Sequence, residues 1–164
     1  MRWALANIAI VFTSLAFGDQ LQRPATGPPE KILAGVSLDS GLAAIRAAYG
    51  TPTSTKGSIS CWKRPGYSLC AEVLSGSQYL NHTFVQALWV ECEAGAHSKQ
   101  PRTGRGLKLG DTIESATRLY GDHYGDLAPY GLSGIEFHWE QDYDLRIETS
   151  RSGRIRKITV IAPD

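Results

Sequence analysis

Two stretches of this chain repeat one pattern, and the repetition narrows the architectures open to it. The first runs Gly35-Val36-Ser37-Leu38-Asp39-Ser40-Gly41-Leu42-Ala43-Ala44-Ile45-Arg46-Ala47-Ala48-Tyr49-Gly50, and its counterpart, 71 residues later and without a gap, runs from Gly106 to Gly121. Apolar side chains fall at Leu38, Leu42, Ile45 and Tyr49, then at Leu109, Ile113, Ala116 and Tyr120. Spacing of four, three and four residues is one stripe of an α-helix. Ser40 and Asp111 stand at equivalent places suited to capping the first amides, with Glu114 three residues after Asp111. Gly50 and Gly121 supply the left-handed residue that closes each helix.

The extended segments repeat as well. Tyr67–Val73 matches Tyr143–Thr149, and Phe84–Val90 matches Arg154–Val160; Ile59–Lys63 and Ile135–Glu140 precede them. Turn signals at Pro65-Gly66, Ser75-Gly76, Gln141-Asp142 and Ser152-Gly153 separate these runs. Each half therefore reads helix, strand, strand, strand. The expected fold is α+β: two tandem α-β-β-β repeats, residues 34–95 and 106–164, with antiparallel hairpins and one helix per repeat packed on one sheet face. Residues 96–105 read as a polar linker. One such unit is too small to bury its own face, so both repeats are expected to share one globular domain.

Ahead of the repeats, Met1-Arg2, the apolar run from Trp3 to Phe12 and the small residues Ala16 and Gly18 read as a signal peptide over 1–18, cleaved before Asp19. That run is too interrupted by Asn7, Thr13 and Ser14 for a membrane span, so none is expected after cleavage. Residues 19–33, with Pro24, Pro28 and Pro29, read as a poorly ordered tether. The expected location is secreted or periplasmic. With 17 basic and 16 acidic side chains the charge balance argues against a nucleic-acid binder.

Three cysteines in an exported chain suggest one bridge and one leftover thiol. A two-residue turn at Pro65-Gly66 sets Cys61 opposite Cys70 as a non-hydrogen-bonded pair, where side chains come closest. The expected disulfide is Cys61–Cys70. Cys92 continues the alternation Leu88, Val90 and is expected to be a buried thiol.

The second sheet offers one chemical constellation. If Trp139 faces Leu145 and Phe137 faces Ile147, the outer face sets Glu136 beside Glu148, His138 beside Arg146 and Glu140 beside Asp144. Paired carboxylates around a histidine suit a cation or acid–base chemistry, although alternating charges are also the ordinary dress of a solvated strand. His123, in the polar loop Gly121–Asp126, is a second candidate; His82 and His97 are isolated. No metal spacing, phosphate loop, dinucleotide fingerprint or nucleophile elbow occurs, so neither a metal nor a cofactor is expected. Val85, Ala87 and Trp89, with Ile155 and Ile161 in the second half, are read as pointing away from the core. Such residues mark a seam between repeats or a binding surface. Trp89 is the leading interface residue, with Val85, His138, Arg146 and Lys157 completing the candidate surface. Trp62 and Trp139 are assigned to the core.

The duplicated Leu-x-x-x-Leu/Ile helices ending in Tyr-Gly, the hairpins after them, the signal peptide and the Cys61/Cys70 hairpin together resemble the small helix-plus-sheet fold of the β-lactamase inhibitory protein, a group that includes the outer-membrane assembly lipoprotein of the SmpA/OmlA type. The likeness spans residues 35–164. It implies a protein that presents a sheet surface to another protein without catalysis. Two departures stand out: no fourth strand is evident in either repeat, and the lipoprotein's acylated cysteine is missing. The expected function is an exported, non-catalytic binding module engaging a protein or cell-envelope component. The alternatives are a small-ligand carrier with an apolar pocket between helix and sheet, and a small hydrolase or metal-dependent enzyme using Glu136, His138, Glu140 or His123.

Overall fold

The computed structural model describes residues 25–74, 83–92, 101–122, 124–140 and 143–163. The expected signal peptide, the first part of the tether, the turns at Ser75-Gly76 and Gln141-Asp142, and His82, His97 and His123 lie outside the described residues. The fold is α+β, with two α-helices and antiparallel sheet among the described residues.

Strands β1 (Ile32–Leu33) and β2 (Val36–Ser37) form a small hairpin, followed by a 3-10 turn at Leu38–Ser40 and helix α1 (Gly41–Tyr49). Then come β3 (Ser54–Lys56), β4 (Ile59–Arg64), β5 (Tyr67–Val73) and β6 (Val85–Cys92). Helix α2 (Ile113–Tyr120) opens the second half, followed by β7 (Gly125–Asp126), β8 (Gly134–His138), β9 (Asp144–Thr149) and β10 (Ile155–Ile161). Strands β3 to β10 make one eight-stranded sheet in the order β3-β4-β5-β6-β10-β9-β8-β7, every neighbouring pair antiparallel. Each half thus contributes a short outer strand, β3 or β7, that the three-strand reading did not anticipate. Segments of three and two residues are too brief to show an alternation.

The helical stripes do what their spacing requires. Leu42 and Ile45 of α1, and Ala116 and Tyr120 of α2, join one core cluster with Leu69, Leu88, Val90, Phe137, Leu145, Ile158 and Val160. Both helices therefore cover the same sheet face. Trp62 and Trp139 are buried as expected, and each indole N–H donates to a carbonyl, at Gly50 and Gly27 respectively. Gly50 and Gly121 end the helices at φ +77° and +93°, donating back to Arg46 and Thr117 carbonyls. The N-termini differ from expectation. Ser40 sits in the 3-10 turn and caps nothing through its side chain, while Thr112 holds the N-cap place of α2. Asp111 accepts instead from the Lys108 N–H at 2.9 Å, shaping the turn before α2.

Residues 25–33 are part of the fold in place of the poorly ordered tether expected over 19–33. Ala25 and Leu33 are buried, and the Glu30 carboxylate is only 4% exposed. Its Oε1 accepts from the Ile32 and Gly104 N–H groups, and its Oε2 from the Arg105 N–H and the Tyr120 hydroxyl. The Tyr120 hydroxyl lies 2.7 Å from Thr103 Oγ1, which in turn accepts from the Leu107 N–H. Burial, with Glu30 beside it, pushes the Tyr120 phenol above its ordinary pKa. Arg105 completes the clasp: its guanidinium donates to the carbonyls of Thr26, Pro28 and Leu119 and lies over the Tyr120 ring. Prolines and polar residues here mask a built structure, because one buried carboxylate satisfied by four donors anchors the whole segment.

Replacing Glu30 by Ala strands three backbone N–H groups and a phenol, and is expected to lower unfolding stability by about 3 kcal/mol. Glu30→Gln keeps one acceptor oxygen and should lose less. Urea unfolding of the two variants checks this, and an unchanged midpoint for Glu30→Ala would contradict it.

Candidate functional site

The sheet face opposite the helices is built from strand register. One row crosses all eight strands: Ser54, Cys61, Cys70, Trp89, Thr159, Arg146, Glu136 and Gly125. Trp89 stands at its middle, between Cys70 of β5 and Thr159 of β10, and is half-buried. Among the described residues no helix covers this face.

The disulfide lies next to that tryptophan. The Pro65-Gly66 turn pairs Arg64 with Tyr67, Trp62 with Leu69 and Cys61 with Cys70, the expected register. Gly66 takes φ +93°, which the second turn residue of a type II turn needs. Cys61 and Cys70 are bonded, with their Cα atoms 4.1 Å apart. Cys92 is free and half-buried at the margin of the core, opposite Tyr67; burial raises its thiol pKa, and Glu91 adds to the rise.

Beside Trp89 lies a charged ladder. Lys157 Nζ is 5.6 Å from the Trp89 ring centre, within cation–π reach, and 3.1 Å from Glu148 Oε1. Arg156 donates to Glu148 Oε2 at 2.6 Å and approaches Glu91 at 3.9 Å. Arg146 donates to Glu136, and His138 Nδ1 meets Asp144 Oδ1 at 2.6 Å.

This pairing corrects the carboxylate constellation. Phe137 faces Leu145 and Ile135 faces Ile147, a two-residue slip from the expected register. The β8–β9 turn closes early, with Trp139 N–H donating to the Tyr143 carbonyl. A slip of two keeps each side chain on its face but changes every partner. Glu136 meets Arg146 instead of Glu148, and Asp144 meets His138 instead of Glu140. Like-charge pairs are thereby replaced by opposite-charge ones. No group of three or more His, Cys, Asp or Glu residues among the described residues is placed to hold a metal ion.

Val85 is the second correction. It is 4% exposed and packs in the core, as does Ile155 at 1%. Both flip inward because each strand carries an extra residue just beyond them. The register jumps across Gln86 in β6 and across Arg156 in β10. A bulge reverses the facing of everything beyond it, and nothing in the local sequence announces one. Trp89 and Lys157, by contrast, share the outer face with Arg146 and His138. Strands β6 and β10, one from each half, pair at Trp89, with Thr159 opposite it on the same face.

An apolar cleft of about 280 Å³ lies at one end of the sheet, lined by Leu38, Leu74, Phe84, Val85, Tyr143 and Ala162 among others. It lies beside the 3-10 turn, not under a helix as the carrier reading expects, and is smaller than most ligand cavities. Among the described residues no helix is long and apolar enough to cross a membrane. Comparison with protein-family models, with curated proteins and with solved structures gave no match.

Unfolded but unreduced protein is expected to react with a thiol reagent at one cysteine, and at three after reduction. Joint substitution of Cys61 and Cys70 by Ser should lower stability by about 2 to 3 kcal/mol. Three reactive thiols without reductant would show that the bridge does not form.

Proposed function

We propose that this protein is an exported, non-catalytic binding module that presents the outer face of its sheet to a protein or cell-envelope partner. The observation that carries the reading is Trp89: a large aromatic, half-buried at the centre of a sheet face that no helix covers among the described residues. Aromatics in such central positions carry a disproportionate share of interface energy. Lys157 over its ring and the paired Arg146, Glu136, His138 and Asp144 give the aromatic a polar surround. The same pairings leave the hydrolase and metal readings without the adjacent carboxylates on which they rested.

The tandem-repeat reading belongs to this proposal, and so does the likeness to the β-lactamase inhibitory protein group. Its support is the register at the join: Leu88 pairs with Val160 and Val90 with Ile158, symmetrically about Trp89 and Thr159. Aligned as repeats, Trp89 and Thr159 are equivalent positions, as are the bulge residues Gln86 and Arg156. Export is supported by the signal-like N-terminus and is compatible with the Cys61–Cys70 bridge.

Expressed with its full N-terminus in an exporting cell, the protein should be recovered outside the cytoplasm beginning at Asp19. Affinity capture from that cell, with Trp89→Ala as control, should enrich a partner that the variant loses at least about tenfold while its melting temperature stays close to that of the parent. Equal capture by both proteins would sink the assignment of this face.

A further inference from the structure

The chain is nearly neutral overall, yet its charges are sorted by sheet edge. Between Asp39 and Glu72 the sequence carries Arg46, Lys56, Lys63 and Arg64 and no acidic residue. That interval holds α1, β3, β4 and the first part of β5, which is one edge of the sheet. Between Arg118 and Arg146 the sequence has no lysine or arginine; of its acids, Glu136 is paired with Arg146 and Asp144 with His138, while Asp126 and Glu140 are exposed. That interval holds the last residues of α2, β7 and β8, which is the opposite edge.

We infer that the two edges are complementary docking surfaces for a second copy of this chain, the basic β3 edge of one copy seating on the acidic β7 edge of the next. Three features besides charge favour this occupant. Among the described residues, β3 and β7 each pair on one side only, leaving a row of backbone donors and acceptors open. Beyond β7 the edge is already taken, since the Ala25 N–H donates to the His138 carbonyl at 2.7 Å, so the open part is β7 itself. Polarity fits too: with eight strands alternating in direction, β3 and β7 run oppositely, and a copy placed alongside continues the antiparallel sheet with its helices on the same face.

Shape is the third feature. On the helix side of β3 an open groove of about 550 Å³ is lined by Arg46, Gly50, Thr51, Pro52 and Thr55. On the helix side of β7 stands Tyr124, 43% exposed and edge-on to Phe137. Docking edge to edge brings this ring towards the groove. It also sets Arg46 near Asp126, which is exposed and holds only the Ala128 N–H among the hydrogen bonds of the described residues. Charged edge strands ordinarily prevent sheet edges from joining. Here the signs differ, so β3 against β3 and β7 against β7 repel while β3 against β7 attracts. The contact is heterologous and leaves a free edge at each end, so it adds copies in a row instead of closing a dimer.

The test is sedimentation of the exported protein over a concentration series, at about 20 mM and about 300 mM salt, where screening differs strongly. Self-association should weaken at least about tenfold at the higher salt. Arg46→Glu with Lys56→Glu gives two acidic edges, and Asp126→Lys with Glu140→Lys gives two more basic ones; each should be monomeric alone, and their mixture should associate again. These positions are exposed, and matching circular dichroism would verify folding; Lys56→Glu alone serves if a double variant fails to fold. Wild-type protein that stays monomeric at low salt overturns the inference. So do variants that associate like the parent, or a mixture that stays dissociated.

Discussion

The antiparallel pairing of β6 with β10 is the constraint on which the remainder of this molecule rests. Among the described residues each half supplies four strands of the large sheet and one α-helix, too little to bury a sheet face by itself. Joined along β6 and β10, the halves share one core in which Leu88, Val90, Ile158 and Val160 are fully buried. Each such side chain contributes about 2 kcal/mol. These strands are central because their alternate positions are continuously apolar, and the same alternation sends Trp89 and Thr159 outward. The join that builds the core therefore also sets the centre of the open face.

A second organising feature is polar. Glu30 lies far in sequence from Arg105 and Tyr120, yet its carboxylate gathers their N–H and O–H groups together with those of Ile32 and Gly104. A buried carboxylate is costly unless fully hydrogen-bonded, and this one is. The result ties the N-terminal approach and the connection between halves to the end of α2. Both segments are rich in proline, glycine and charge, the composition of loops. Composition reports what a segment can bury on average. It does not report that a single acid has found four donors.

The outer face shows how small offsets decide chemistry. Had Glu136 faced Glu148, two carboxylates would have shared a site and pushed their proton affinities apart. A turn set one residue earlier puts Arg146 opposite Glu136, and the face becomes a set of neutralised pairs around an aromatic. Glu148, buried between Arg156 and Lys157, belongs to the same pattern. What this face presents is an aromatic and paired charges, not an unsatisfied acid.

Periodicity and turn chemistry in the sequence alone determined the two helices, their glycine stops, the long strands, the Pro65-Gly66 hairpin and, through it, the Cys61–Cys70 bridge. Those features are local: a stripe every three or four residues, or a two-residue turn counted outward, needs no knowledge of distant chain. Tertiary structure alone decided the short edge strands, the bulges that turn Val85 and Ile155 inward, the β8–β9 register, and the burial of Glu30. Each of these depends on which neighbour lies alongside. A bulge forms where two strands must twist together, a register settles where opposite charges and core side chains agree at once, and a carboxylate is buried only where enough donors converge. The position of Trp89 drew on both. Its outward facing followed from alternation, but its place at the centre of the sheet came only when β6 met β10.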